Sequence, residues 1–181
     1  MYIFIVTIFF NACKKDSFIT GTNAQLRLSA DTLKYDTVFT TVGSITKTFK
    51  IINTNDKKLL LSKVKLMGGA TSAYKINING SAVTEANNIE IAANDSIYIF
   101  VAVTINPSAA NLPFIISDSI LIDYNTNSRL VQLQAYGQNA NFLRNTVIKG
   151  NTTWTTVLPY VILGGLRIDT TASLTIPAGC K

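Results

Sequence analysis

The sequence predicts an all-β protein: an antiparallel β-sandwich followed by the first coil of a parallel β-helix. Three observations lead there. Of 181 residues 48% are hydrophobic and only 14% charged, and the Ile, Leu and Val are interleaved with Thr, Ser and Asn, the composition of pleated, half-buried strands. Short apolar runs alternate with turn-forming clusters at the spacing expected of a sandwich. Beyond residue 140 the runs shorten to YVIL, GLRID and SLTIP, separated by Gly or small polar residues; that rhythm suits coils in which each short strand stacks on its equivalent in the next.

Between residues 24 and 139 the predicted strands are AQLRLSA (24–30), TLKYDTVF (32–39), ITKTFKIIN (45–53), KLLLSKVKLM (58–67), AYKINI (73–78), NIEIA (88–92), SIYIFVAVTI (96–105), ISDSILIDY (116–124) and RLVQLQAYG (129–137). The connections carry Asn53–Asp56, Gly68-Gly69, Asn79-Gly80, Asn94-Asp95 and Asn125–Asn127. Asn, Asp and Gly tolerate left-handed backbone or cap it locally, which is turn chemistry.

Period-two alternation assigns faces. In the seventh run Ile97, Ile99, Val101 and Val103 share one side and should be core, with Tyr98 and Phe100 on the other. Val131, Leu133 and Ala135 alternate with Gln132, Gln134 and Tyr136, so the ninth strand has one wet side. KKLLLSKVKLM also scores as an amphipathic helix, but its Asn-Asp and Gly-Gly flanks and its length favour a strand.

The N-terminus reads differently. Residues 2–12, YIFIVTIFFNA, are uncharged and apolar and run straight into Cys13-Lys14-Lys15-Asp16. A membrane-spanning helix needs roughly 20 apolar residues, whereas a signal-peptide core runs to about 7–15 and ends near a small residue. The alternative is a buried first strand, but the run outlasts an ordinary strand of about 5–6 residues. No Lys or Arg precedes it; a signal peptide opens with a positive segment, which predicts an in-frame start farther upstream.

Phe10-Asn11-Ala12-Cys13 resembles a bacterial lipobox, in which the signal is cut before the cysteine and the cysteine is acylated. The resemblance implies Cys13 as the lipid attachment site, a membrane as partner through that anchor, and an outer-membrane or cell-surface location; two acyl chains suffice for stable anchoring. The expected organisation is a signal peptide over 1–12, a tether over 13–23, the sandwich over 24–139 and the start of a β-helix over 140–181.

The order YDTVFTTVGSITKTFKIINTNDKKLLLSKVKLMGG, INING, ANDSIYIFVAVTINP and QAYGQNA resembles the immunoglobulin-like (Ig-like) module found near the N-terminus of many Bacteroidota lipoproteins. These modules are similar to ASPM–SPD-2–Hydin-type sandwiches, which act as spacers or adaptors; the resemblance implies no catalytic residues. Trp154, Pro159 to Ile162, Leu166 to Asp169 and Leu174 to Gly179 resemble the opening of the right-handed β-helix that follows the sandwich in those lipoproteins. Relatives of that kind continue for many coils, which implies that this chain is truncated and that residues 140–181 are poorly stabilised unless they pack on the sandwich.

Catalytic chemistry finds little support. The chain has no His, which removes the usual partner of a Ser or Cys nucleophile. Cys180 is left alone if Cys13 is acylated, so no disulfide framework is expected. Asp118 and Asp123 stand five apart on one strand and so face opposite ways, whereas a glycosidase needs two carboxyls facing across a cleft. Asp56 and Asp95 offer one carboxylate per turn, too few for calcium, and neither a metal nor a cofactor is expected. Lys57, Lys58, Lys63 and Lys65 form a candidate basic contact patch for an acidic surface; the alternative is an ordinary solvated edge on which Lys discourages edge pairing. The net charge of +6 comes without a basic helix, zinc pattern or RNA-binding aromatic signature, so nucleic acid is not expected as a partner.

The expectation is therefore a lipid-anchored, non-catalytic Ig-like spacer or binding module presenting a β-helix to a glycan or protein ligand. The competing expectation is the N-terminal part of a polysaccharide-degrading lyase or hydrolase whose active site lies on further coils.

Overall fold

The computed structural model describes residues 17–106 and 114–181. Alternation fixes the two faces of each sheet. In β7 (Ser96–Val103) Ile97, Ile99, Val101 and Val103 are buried and the residues between them face outward. β7 lies in a four-stranded antiparallel sheet with β1 (Leu26–Leu28), β3 (Lys47–Asn53) and β5 (Tyr74–Ile78), in the order β1-β3-β7-β5. A second sheet runs β2-β9-β8-β4-β6, with β2 spanning Thr32–Phe39, β4 Leu59–Leu66, β6 Glu85–Ile91, β8 Phe114–Tyr124 and β9 Asn127–Gln138.

The apolar sides of the two sheets form one core. Phe49, Ile51 and Ile99 come from the first sheet and Leu61, Val64, Ile120 and Val131 from the second, all almost completely buried. Each such aliphatic side chain contributes about 1.5–3 kcal/mol on burial, which makes the core the dominant stabilising feature. KLLLSKVKLM forms a strand and not a helix, because Leu59, Leu61, Val64 and Leu66 all reach this core while the chain pairs on both sides, with β6 and β8.

Two tyrosines tie the sheets together. Tyr35 on β2 donates its hydroxyl to the Val101 carbonyl on β7 (2.5 Å), and Tyr74 on β5 donates to the Ile116 carbonyl on β8 (2.9 Å). Their rings lie 6.1 Å apart at 55°. Asn53 is wholly buried at the end of β3, where its Nδ2 donates to the carbonyls of Lys57, Ile91 and Ala92 and its Oδ1 accepts from Asn55.

The expected purely antiparallel sandwich is corrected in one respect. β2 runs parallel to β9, so the second sheet is mixed. Ser29-Ala30-Asp31 does not reverse the chain; it carries it from the edge of one sheet to the edge of the other, and β2 continues in the direction of β1.

The tail also departs from expectation. YVIL and most of GLRID form one strand, β12 (Tyr160–Ile168), pairing in parallel with β10 (Asn141–Ile148), which the sequence reading had not assigned as a strand. β11 (Thr152–Thr153) pairs in parallel with β13 (Leu174–Thr175). In both pairs the chain returns to the same level after about 20 residues, the scale of a stacked repeat. The strands kink together: Asn145 (φ 44°) bulges from β10 opposite Gly164 (φ 83°), and Asn145 Oδ1 accepts from the Gly165 amide (3.1 Å). Trp154 and Tyr160 stack at 3.9 Å and 6° between the two levels. The tail meets the sandwich where Phe142 packs edge-on against Phe39, centroids 6.4 Å apart.

Candidate functional site

Cys13, the expected lipid attachment site, lies outside the described residues, as do the signal peptide and the first residues of the tether. The described part of the tether is held against the sandwich. Ile19 N and Lys58 O bond at 2.8 Å, and the side-chain amides of Asn125 and Asn127 donate to the carbonyls of Ile19, Gly21 and Thr22. No helix among the described residues is long and apolar enough to cross a membrane.

The lysines singled out in the sequence meet carboxylates. Lys63 and Lys65 share the outer face of β4, and both reach Glu85 on the neighbouring β6, at 3.9 and 3.2 Å. Lys58 sits 3.8 Å from Glu90 on the same strand. The hydrogen bond from Lys65 is the main reason the Glu85 carboxyl titrates below its ordinary range. Lys57 lies in the preceding turn, where its carbonyl accepts from buried Asn53.

The two strand carboxylates also serve local structure. Asp118 accepts from the Gly68 amide (3.0 Å) and from the Ser72 hydroxyl (2.5 Å), which closes the Gly68–Ser72 turn; a Cβ at Gly68 would sit 2.5 Å from Asp118 Oδ2 and displace that carboxylate. Asp123 accepts from Ser128 across the β8–β9 hairpin. Among the described residues no group of three or more His, Cys, Asp and Glu side chains could hold a metal ion.

A different surface emerges from the strand order. β1, β3, β5 and β7 contain Arg27, Lys47, Lys50 and Lys75 and no Asp or Glu, whereas the strands of the other sheet carry Asp36, Glu85, Glu90, Asp118 and Asp123 among their cations. On the outer face of the first sheet Tyr98 and Phe100 project from β7 with near-parallel rings 6.1 Å apart, each about two-fifths exposed. Cross-strand pairing sets Lys50 beside Tyr98, with Nζ 4.7 Å from the ring centroid, and sets Thr48 and Asn77 on either side of Phe100. A groove of about 440 Å³ runs beside Phe100, between Lys75, Asn77 and Ala102 and the Gly80–Ala82 turn. Sequence reasoning missed this surface, because its cations are far apart in the chain and meet only through the pairing.

No family model matches the chain, and no curated protein matches it. The class its geometry defines is an all-β protein built on a two-sheet sandwich. Among solved structures it is similar to a protein of unknown function from Porphyromonas gingivalis (16% identity, 70% of this chain and 50% of that one, TM-score 0.47). It is also similar to a family 123 glycoside hydrolase from Clostridium perfringens (13% identity, 71% of this chain and 30% of that one, TM-score 0.47). A third is the CooA pilin subunit from enterotoxigenic Escherichia coli (8% identity, 63% of this chain and 97% of that one, TM-score 0.40). The chain spans half or less of the first two.

Proposed function

We propose that the protein is a lipid-anchored cell-envelope module: an Ig-like sandwich, attached through Cys13 on the outer membrane or cell surface, that carries the start of a β-helix and works by binding or spacing, not catalysis. The observation that carries this reading is the direct passage from β9 into β10. β9 ends at Gln138 and β10 begins at Asn141, so no flexible linker separates sandwich from tail, and Phe39 against Phe142 seats one on the other. Such a junction suits a rigid support. Four strand carboxylates fit the same reading, since Asp118, Asp123, Glu85 and Glu90 are engaged in turns or ion pairs.

The tether sets the geometry of the anchored state. Because the chain is already bonded to the sandwich at Ser17 and Ile19, only three residues separate Cys13 from Ser17, a reach of at most about 14 Å over four fully extended steps. The sandwich therefore sits close to the bilayer surface.

Mass spectrometry of the N-terminal peptide, from protein expressed with its native leader, tests the anchor. A diacyl or triacyl mass on Cys13, lost together with membrane fractionation in Cys13→Ala, is the expected result. An unmodified peptide beginning at Met1 overturns it.

A further inference from the structure

We infer that the outer face of the four-stranded sheet binds an acidic polysaccharide, with Phe100 as stacking platform and Lys75 and Asn77 as polar contacts. The inference deepens the binding role proposed above, but it uses none of the residues on which anchoring depends.

The charge distribution selects an anionic partner. Arg27, Lys50 and Lys75 come from the three strands β1, β3 and β5, and no carboxylate belongs to any strand of their sheet. On the opposite side Lys58, Lys63 and Lys65 are offset by Glu85 and Glu90, and the strands of that sheet mix Lys34 and Arg129 with five carboxylates, so this face is the one whose strands carry cations alone. Complementary potential of that kind guides an anionic ligand to one face.

The apolar component selects a sugar. A pyranose ring presents a C–H face that packs on an aromatic ring and an equatorial rim of hydroxyls that needs donors and acceptors. Phe100 is part-exposed beside the groove, while Lys50 already lies over Tyr98. Across from Phe100, Asn77 Oδ1 accepts from the Gly80 amide at 2.8 Å. That bond fixes the amide, and its Nδ2 donors have no protein acceptor among the described residues. The open Gly80 turn, with nothing within 4 Å of a would-be Cβ, leaves the groove accessible. Lys75, also lining the groove, makes no ion pair among the described residues and is placed for a ring carboxylate or sulfate. Nucleic acid fits less well: its affinity rests on many phosphate contacts, and this face offers three cations spread over three strands, with one free stacking ring.

Affinity electrophoresis of the full chain in non-denaturing detergent, through gels containing polygalacturonate or chondroitin sulfate, tests the inference. Dextran serves as the neutral control and a fluorescent oligothymidylate as the nucleic-acid probe. Retardation by at least one acidic polysaccharide but not by dextran is expected. Phe100→Ala and Lys75→Gln should each weaken it on the order of tenfold, the scale of one lost contact, while the Lys63→Ala/Lys65→Ala double variant leaves it unchanged. Polygalacturonate and chondroitin sulfate separate carboxylate from sulfate as the recognised group. No retardation by either, or equal loss in the double variant, overturns the inference. Oligothymidylate binding as tight as the polysaccharide also overturns it and assigns the face to nucleic acid. Lys75→Gln keeps the test decisive if Phe100→Ala fails to fold, because the Lys75 side chain is exposed and makes no hydrogen bond or ion pair among the described residues. Binding that persists in an unacylated protein would separate this face from the anchor.

Discussion

Tyr35 and Tyr74 form a reciprocal clasp: each stands on one sheet, donates its hydroxyl to a backbone carbonyl of the other, and packs its ring against its counterpart 6.1 Å away. Tyr35 bonds Val101 at the level of Lys47, where β3 begins, so the hydroxyl reaches a carbonyl of a central strand of the facing sheet. Removing either hydroxyl breaks a hydrogen bond across the core. Tyr35→Phe and Tyr74→Phe should each lower stability by about 1 kcal/mol in urea unfolding, with no change in strand content by circular dichroism.

The same burial makes the sandwich sensitive to alkali. Burial pushes the Tyr35 hydroxyl up to about 12 and raises that of Tyr74 as well, mainly by desolvation and further by the neighbouring Tyr35 and Asp118. An unfolded tyrosine ionises near 10, so the unfolded state loses its protons first. The stability these groups contribute is full below pH 10 and is lost as pH rises through 12. Urea midpoints measured across that window should fall, and the fall should be shallower in Tyr35→Phe.

Asn53 is the polar pin of the opposite end. Its amide satisfies three carbonyls and one neighbouring residue without contact with solvent. Asn53→Ala removes all three donated bonds, leaving Ala92 O with the Asp95 amide at 3.3 Å, and about 3 kcal/mol of stability should disappear. Asn53→Asp, which exchanges the donor for a carboxylate facing carbonyls, should be at least as damaging in the same unfolding assay.

Glu85 gives a milder acid-side effect. Its carboxyl titrates below the ordinary range through Lys65, so its contribution is present above the unfolded carboxylate pKa and fades as pH falls through the lowered folded value. The pair is solvent-exposed, and Glu85→Gln should shift the thermal midpoint only slightly at neutral pH and not at all at strongly acid pH.

Alternation made the core faces of β7 and β9 legible in the sequence, since Ile97 to Val103 and Val131 to Ala135 sit where period two places them. The turns followed from Asn, Asp and Gly. Partner choice was not legible. Nothing in Ser29-Ala30-Asp31 says that the chain changes sheets there, because a crossing needs no reversal and so no turn residue. β10 was hidden for a similar reason: Asn141, Arg144 and Asn145 break its apolar run, and what makes it a strand is the parallel partner about 20 residues on. Lys57, Lys58, Lys63 and Lys65 drew attention as sequence neighbours. Glu85 and Glu90 come beside them only when β6 pairs with β4, and Arg27, Lys50 and Lys75 come together only when β1, β3, β7 and β5 form one sheet.

The central claim is that the tail continues the sandwich as a seated stack of parallel strands, and hydrogen exchange on the full chain tests it most directly. Amides of β10 and β12 should exchange more slowly than those of the Asn125–Asn127 turn, and Phe142→Ala, which removes the contact with Phe39, should speed them while leaving β7 unchanged. Gly164→Ala, forced to adopt a positive φ against Asn145, should act in the same direction. Tail amides that exchange at unprotected rates in the wild-type chain, or protection indifferent to Phe142, would contradict the claim.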